Sequence, residues 1–285
     1  MRYRKREKKD MIKQDNLQIY YPGDLQDALL LYNKRPEAIL TAGSVELSRT
    51  ETWQHYQGPV IVLGNIREIK RIIKTERYLE IGAGKALSAI LSIPSPNIPL
   101  LLKKSILLGC PAPARTQATI GGNLCIPDKT YDIHGALTLL NATAEIRKTN
   151  HTRWIPVSDI RNTTGFTTLE EGEILTRIRI PISNWEIQEY IKFPGAFTTA
   201  SINLYGLAHK EDNLISAIRI SIKTPYNPPY RYPETEKSMI GKSSPLTKHE
   251  ITQITKEIAE KVSEEEPEAD IRTITKLISH FLQKI

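Results

Sequence analysis

The sequence predicts an α+β fold, in which an α/β body that extends to about residue 181 is followed by an antiparallel sheet with helices. Two observations predict this arrangement. Up to residue 181, short apolar runs typical of strands alternate with short amphipathic stretches typical of helices. Beyond it, two long alternating runs, SINLYGLAHK and LISAIRISIK, are joined by a polar turn and followed by stretches with helical periodicity.

The body begins with a helix and three strands. A Pro-Gly turn precedes Asp24, which is able to cap a helix in LQDALLLYNK. Strands are predicted in AILTAGSVEL, in VIVLG (60–64) and in YLEIGAG (78–84). The segment IREIKRII is predicted as a short amphipathic helix, and 93–114 shows no clean period.

The rest of the chain gives clearer signals. IHGALTLLN is typical of a helix, ATAEIRKT and RWIPV of a hairpin, and ILTRIRIP (174–181) of a strand that stops at Pro181. Near the end of the sequence, Thr247 and Glu250 match a capping box before an amphipathic helix. A second apolar helical face comprises Ile271, Ile274, Leu277, Ile278 and Phe281.

Composition excludes several classes of protein. The 285 residues contain no apolar run long enough to span a membrane and only two cysteines, too few for a disulfide framework, so we expect a cytoplasmic protein. The basic start, MRYRKREKKD, is not followed by the apolar segment of a secretory signal. Residues 1–14 form a basic N-terminal arm that holds much of the +7 net charge. Such an arm can grip nucleic acid, but without interleaved aromatics a solvated tail is favoured and nucleic acid is an unlikely partner.

Common catalytic and cofactor motifs are absent. No G-x-G-x-x-G follows a strand, and GAGKA (82–86) lacks the spacer and the hydroxyl residue of a phosphate-binding P-loop. The six histidines are scattered, and neither they nor the two cysteines have metal-ligand spacing. We therefore predict no metal site and no catalytic residue, and any redox chemistry would need an organic cofactor.

Two small-residue turns remain as candidates. TAGSVE (41–46) and TIGGN (119–123) each follow a strand-like run. Consecutive N–H groups in such turns can form a concave anion site, and two facing turns could hold a pyrophosphate. Each could equally be a structural turn, because glycine serves close approach of protein as well as of ligand.

The motifs carry a resemblance to a known family. TAGSVEL, YLEIGAG, RTQATIGGNLC with Asp132 nine residues beyond Asn123, LEEGEILTRIRIP and YIKF occur in this order. The order resembles the FAD-binding subunit of the molybdenum hydroxylases, the group of xanthine dehydrogenase and carbon monoxide dehydrogenase. The resemblance runs from about residue 15 to the last residue and includes LISAIRISI and YRYPETEKSMIGKSSPLT.

The resemblance implies a domain organisation and a cofactor. Residues 15–182 would form a two-lobed FAD-binding body of the PCMH-like type, split near residue 65. Residues 183–285 would form a domain like the C-terminal domain of the carbon monoxide dehydrogenase flavoprotein. FAD would be the cofactor of this chain, and the residues implied to bind it are Leu40, Thr41, Ala42, Gly43, Ser44, Val45, Glu46, Ala118, Thr119, Ile120, Gly121, Gly122, Asn123, Asp132, Ile174, Leu175 and Lys192.

These residues have different implied roles. The two turns would grip the FAD diphosphate. Asp132 matches the family acid near the ribose and diphosphate, although it could simply cap the following helix. Ile174 and Leu175 match the apolar strand end beside the flavin ring, and Lys192 matches the lysine near its pyrimidine edge, although it could be a surface lysine.

The sequence also departs from the family pattern. Ser44 replaces a glycine and Val45 a polar residue in the first turn, and Lys129 stands where a proline is usual. The stretch FPGAFTTA lacks the basic pair and the acid of many relatives. These departures predict FAD binding that is either weaker than typical or lost.

The resemblance implies an electron-transfer subunit of a molybdopterin-dependent dehydrogenase. Electrons would pass from a molybdopterin-binding large subunit through a small subunit with 2Fe-2S clusters to FAD on this chain, and then to NAD or another acceptor. The alternative is a scaffold or assembly subunit with a vacant flavin site. A stand-alone flavin oxidase is disfavoured, because neither a histidine for covalent attachment nor a substrate domain is identifiable.

Overall fold

Three β-sheets organise the fold in the computed structural model, which describes residues 18–49, 56–126, 132–162, 164–194, 201–225 and 227–285. The strands are β1 (Ile19–Tyr20), β2 (Ile39–Thr41), β3 (Val60–Val62), β4 (Ile72–Lys74), β5 (Tyr78–Gly82), β6 (Thr143–Lys148), β7 (His151–Pro156), β8 (Ile174–Pro181), β9 (Ile187–Pro194), β10 (Ser201–Glu211), β11 (Leu214–Lys223) and β12 (Tyr230–Arg231). The helices are α1 (Leu25–Lys34), α2 (Val45–Arg49), α3 (Leu87–Leu91), α4 (Leu100–Gly109), α5 (Ala112–Arg115), α6 (Ile120–Cys125), α7 (Ile133–Leu139), α8 (Pro233–Met239), α9 (Lys248–Glu265) and α10 (Ile271–Leu282).

The first sheet is small and parallel. Its strand order is β1-β3-β2, and α1 supplies the crossover between β1 and β2. Asp24 caps α1 by accepting a hydrogen bond from the Asp27 amide at 2.8 Å, as predicted from the sequence. The apolar side of α1 packs with Ile61, Leu63 and Ile66 in a core of its own.

The second sheet is antiparallel and has the order β4-β5-β8-β6-β7. Its central strand, β8, comes from a later part of the chain than both of its neighbours. One face carries Leu79, Ile81 and Ile178 into the largest hydrophobic core, which includes residues of α3, α4, α6 and α7. The opposite face carries charged side chains instead, among them Glu80 and Arg177.

The third sheet, β12-β11-β10-β9, is antiparallel and packs against the last two helices. The two long strands and the α9 capping box of Thr247 and Glu250 lie where the sequence predicts them. Mixed helices and antiparallel sheets confirm the predicted α+β class. The boundaries at residues 65 and 182 stay predictions.

Some local predictions are wrong. IREIKRII forms a 3-10 turn (Glu68–Lys70) and the strand β4 instead of a helix, because residues 72–74 pair with β5 at the sheet edge. AILTAGSVEL is a strand only as far as Thr41, and α2 begins at Val45. The part of 93–114 without a clean period includes α4, in which Leu101, Leu102 and Ile106 are buried whereas Leu107 and Leu108 are exposed, so leucines lie on both sides of the helix.

Two predictions about the whole chain concern its ends and its apolar segments. The basic arm, residues 1–14, lies outside the described residues. Within the part of the chain that the structure describes, every helix is too short or too polar to cross a bilayer.

Candidate functional site

The two small-residue turns lie against each other. A Cβ added to Gly43 would lie 1.9 Å from the carbonyl oxygen of Gln117, so only glycine allows the first turn to approach the segment before Thr119 this closely. The first turn is therefore in close contact with the residues that lead into the second turn.

A cavity of about 220 Å³ opens where the two turns meet the start of β8. Apolar side chains form most of its wall, and half-buried Cys125 contributes its thiol. Burial raises the pKa of that thiol to about 12, so it is neutral at physiological pH. The predicted site residues that line this cavity are Leu40, Thr41, Ala42, Thr119, Gly121, Gly122, Ile174 and Leu175.

A second cavity of about 430 Å³ lies on the other side of the contact between the turns. It shares Ala42, Gly84 and Thr119 with the first cavity, and Gly43 lines it. It also brings in two cations, Lys70 and Lys85, which the sequence reasoning did not select. Lys85 belongs to GAGKA, which is not a P-loop but could have drawn attention to it. Gly84 and Lys85 follow the end of β5 and lie beside the two turns.

The first turn offers main-chain donors. Ser44 adopts a left-handed conformation with φ of +55°, which explains why glycine is usual at this position in the resembled family. Its hydroxyl lies 3.0 Å from the Thr41 hydroxyl. Among the described residues, the amides of Gly43 and Ser44 have no hydrogen-bond acceptor. These two donors are therefore available to an anionic group.

The second turn differs from the prediction. TIGGN is not the end of a strand: Thr119 caps the short helix α6, whose first turn contains both glycines. The amides of Ile120 and Gly121 donate to Lys85 and Ala83 at 3.1 and 2.8 Å, and the Gly122 amide donates to the Thr119 hydroxyl. A Cβ at Gly121 would lie 2.7 Å from the Ala83 Cβ, so this glycine serves contact between protein segments.

Five further residues of the predicted set stay outside the cavity walls. Val45 and Glu46 belong to α2, and Ala118 packs at the margin of the main core. Ile120 lies within that core, and the carbonyl of Asn123 accepts a hydrogen bond from Arg161 at 2.6 Å. These five residues therefore support the two turns without lining a cavity.

Asp132 and Lys192 lie together, in a buried cluster separate from the cavity walls. Lys192 Nζ donates to Asp132 Oδ2 at 2.7 Å, and Lys223 Nζ and Asn203 Nδ2 donate to Oδ1 at 3.1 and 2.6 Å. Asp132 is only 1% exposed. A buried carboxylate with these three donors is well compensated, and the two lysines give the cluster a surplus positive charge.

The surroundings of Asp132 contain further polar groups. Tyr205 donates to the Asp132 carbonyl at 2.9 Å, whereas the buried Ser221 hydroxyl has no partner among the described residues. Asp132 precedes α7, but its side chain makes no capping hydrogen bond. The simple capping role considered from the sequence is therefore wrong, and sequence reasoning missed Lys223 and Asn203.

No group of three or more histidine, cysteine, aspartate or glutamate side chains that could hold a metal ion occurs in the described ranges. One buried titratable group is His134 on α7, whose ring nitrogen Nε2 lies 3.1 Å from the Val157 carbonyl. Burial, assisted by repulsion from Arg161, lowers its pKa to about 4, so the imidazole is neutral.

Comparison with protein families decides the relationship. The model of the FAD binding domain in molybdopterin dehydrogenase matches residues 15–183, more than half of the chain. The chain belongs to this family. The predicted family and cofactor class are thereby confirmed, and the matched range contains all the predicted site residues except Lys192.

Curated relatives of this family member are subunits or parts of oxidoreductases. The chain is 27% identical over 220 residues to the glyceraldehyde dehydrogenase medium chain of Sulfolobus acidocaldarius, covering 75% of each. It is 26% identical over 165 residues to the xanthine dehydrogenase FAD-binding subunit of Escherichia coli O157:H7, covering 55% of each. It is 30% identical over 202 residues to aldehyde oxidase 2 of Macaca fascicularis, where the match covers 66% of this chain and 14% of the relative.

Solved structures share the fold along nearly the whole chain. The match to quinoline 2-oxidoreductase from Pseudomonas putida 86 has a TM-score of 0.80 at 18% identity and covers 94% of this chain and 95% of that one. The match to the Cu,Mo-CO dehydrogenase has a TM-score of 0.78 at 21% identity, with the same coverage. The FAD-binding subunit fold of the molybdenum hydroxylases therefore includes the C-terminal sheet and helices.

Proposed function

We propose that this protein is the electron-transfer flavoprotein subunit of a molybdopterin-dependent dehydrogenase. The observation that supports this function best is the apolar cavity in which two glycine turns and the start of β8 come together. In a member of an FAD-binding family, this shape suits a long cofactor with an apolar part and a charged centre.

The residues around the two cavities fit FAD in their chemistry. The amides of Gly43 and Ser44, which have no acceptor in the part of the chain that the structure describes, would bind its diphosphate together with the ammonium groups of Lys70 and Lys85. Ile174 and Leu175 would contact an apolar part of the cofactor. Bound FAD would supply reversible electron transfer, and the protein would hold it in place and keep water from the apolar wall.

Asp132 and Lys192 belong to the proposal as a pair. The Lys192 side chain is 26% exposed whereas that of Lys223 is 3% exposed, so Lys192 is the lysine that a ligand could reach. A cation there would stabilise negative charge on a reduced flavin ring. Lys223 and Asn203 would keep Asp132 compensated if Lys192 turned toward the cofactor.

The proposed partners are a molybdopterin-binding large subunit and a small subunit with 2Fe-2S clusters. Relatives named medium chain and medium subunit support an assembly of this kind. NAD is one candidate acceptor for the electrons. We place the protein in the cytoplasm, where cysteine thiols stay reduced.

Titration of the purified chain with FAD, followed by calorimetry and by flavin fluorescence, tests the function. We expect saturable binding and a yellow protein after desalting. Lys85→Met should weaken binding by about tenfold, because a charge-assisted contact to a phosphate is lost. Lys256→Met removes the same charge from an exposed face of α9 and should leave binding unchanged. A colourless protein that takes up no FAD contradicts the proposal.

The scaffold alternative has one observation in its favour. Amides of the second turn already have acceptors within the chain, so a diphosphate would receive fewer main-chain donors than two open turns would provide. A scaffold subunit should give no heat on addition of FAD and should still co-purify with the molybdopterin-binding and 2Fe-2S chains. The same titration therefore separates the two functions.

A further inference from the structure

A cleft of about 670 Å³ lies away from the two turns. It is formed between α1 and the charged face of the second sheet. On β8, Ile174 and Leu175 line the apolar cavity, and the next two residues, Thr176 and Arg177, line the cleft. Its volume is within the range of small-molecule sites.

One wall of the cleft is apolar. Leu25, Leu29 and Leu30 of α1 form this wall together with Ile73 of β4. Leu30 and Ile73 are 40% and 43% exposed, although both are large aliphatic side chains. An apolar group bound between them would remove this surface from water.

The opposite wall is a set of ion pairs. Arg177 contacts Glu80 at 2.6 Å and Glu145 at 3.6 Å, and Arg147 contacts Glu145 at 3.1 Å. The two glutamates are buried and each has an arginine partner. This wall is therefore electrically compensated without a ligand, and it has no free carboxylate to attract a cation.

Two donors on the same wall lack an acceptor. The Nε of Arg147 and the hydroxyl of Thr149 are buried and have no hydrogen-bond partner among the described residues. Both residues belong to the hairpin of β6 and β7 and line the cleft. A buried donor without a partner is costly, so it indicates a site for an oxygen atom.

The charges at the cleft indicate the sign of that oxygen-bearing group. Arg71, Lys148 and His151 surround the hairpin end of the cleft, in addition to the paired arginines. Glu68, the remaining acid of the lining, accepts a hydrogen bond from the Leu25 amide at the start of α1. A negatively charged ligand is thus favoured over a neutral one.

We propose that this cleft binds a small carboxylate that carries an apolar group. Its two oxygens would accept hydrogen bonds from the Arg147 Nε–H and the Thr149 hydroxyl, and its apolar group would lie against Leu30 and Ile73. The cleft is distinct from the apolar cavity, because the two share only Ile69 among their lining residues.

Benzoate is a suitable probe for the full-length protein, with benzamide and inorganic phosphate as matched compounds. Benzoate has both features, benzamide lacks the charge, and phosphate lacks the apolar group. Titrations followed by amide NMR shifts should show saturable binding of benzoate, at least about tenfold tighter than of either control. Equal binding of phosphate and benzoate, or no binding of benzoate, overturns the proposal.

Variants locate the site. Arg147→Gln should weaken benzoate binding by about tenfold or more, and Thr149→Val by about threefold. Arg179→Gln is the matched control, because Arg179 pairs with Glu80 on the same face of the sheet without lining the cleft. If the Arg147→Gln variant folds and binds benzoate as tightly as the wild type, the carboxylate does not bind at Arg147 and the proposal is contradicted.

Discussion

The residues that the resemblance places around one cofactor fall into two regions that differ in their polar chemistry. The turn region contains small residues, two amides for which the described residues provide no acceptor, and two lysines that line the second cavity. In the Asp132 region, one buried carboxylate is held by three side-chain donors. The first region has donors to offer a ligand, whereas the second uses most of its donors internally.

This difference separates two tasks within a binding site. Buried donors without acceptors lower the stability of the free protein, and a ligand that accepts their hydrogen bonds raises it again. A region that is already satisfied is rigid and contributes to stability without the ligand. Substitutions in the two regions should therefore affect different measurements, namely binding in the turn region and unfolding in the Asp132 region.

The largest effect should come from the buried carboxylate. Asp132→Asn removes the buried charge that both Lys192 and Lys223 contact, and we expect the free energy of unfolding to fall by about 3–5 kcal/mol in urea denaturation. Lys192→Met is the control, because Lys223 and Asn203 still compensate Asp132. Lys192→Met should lower the free energy of unfolding by less than half as much as Asp132→Asn. Equal losses for the two variants would contradict the view that Lys223 and Asn203 compensate Asp132 without Lys192.

A smaller loss should follow from closing the contact between the turns. Gly43→Ala places a Cβ 1.9 Å from the Gln117 carbonyl oxygen, so one turn must move. We expect a loss of about 3 kcal/mol in stability and at least about tenfold in FAD affinity. Gly122→Ala meets only the Thr119 hydroxyl at 3.0 Å and should cost under about 1 kcal/mol. Similar FAD affinities for the two variants would argue against a diphosphate at this contact.

The pH dependence of unfolding sharpens the comparison, because His134 lies on the helix that follows Asp132. Its pKa is about 4 in the folded state and 6.5 when unperturbed, so the unfolded state binds the proton first as the pH falls. The neutral His134 should therefore contribute to the free energy of unfolding above pH 6.5. About 2 kcal/mol of this free energy should be lost between pH 7 and pH 5. His134→Gln should flatten this part of the curve, and an unchanged slope would mean that another group is responsible.

The smallest effect concerns Ser44. Its left-handed φ of +55° is costly for serine, so Ser44→Gly should stabilise the fold by up to about 1 kcal/mol in the same urea experiment. The amide remains in place, so FAD affinity should be kept. A loss of affinity would instead show that the hydroxyl near Thr41 helps to hold the cofactor.

Sequence patterns predicted the parts of this fold that depend on neighbouring residues. The Asp24 and Thr247 caps, the hairpin of β6 and β7 and the long strands of the third sheet all follow from local signals. The helix predicted in IREIKRII failed because pairing with β5 outweighed the helical spacing of a short segment. Local propensity is a weak guide where a sheet edge is available.

The site was predictable to a similar extent. Ordered motifs placed both turns and β8 at one cavity, and Ser44 was noted as a departure before its backbone conformation explained why glycine is usual there. The partners of Asp132 could not be found in this way, because Lys223 lies at the end of β11, 91 residues further along the chain. Lys70 and Lys85 were missed because their convergence with the turns depends on how β4 and β5 pair.

The position of β8 also bears on how the protein is made in the cell. Since β8 lies between β5 and β6, the central sheet stays incomplete until the ribosome has released residue 181. Until then β5 and β6 expose unpaired edges, on which other nascent chains can pair. A chaperone that shields those edges during translation would raise the yield of this subunit more than one that acts after release.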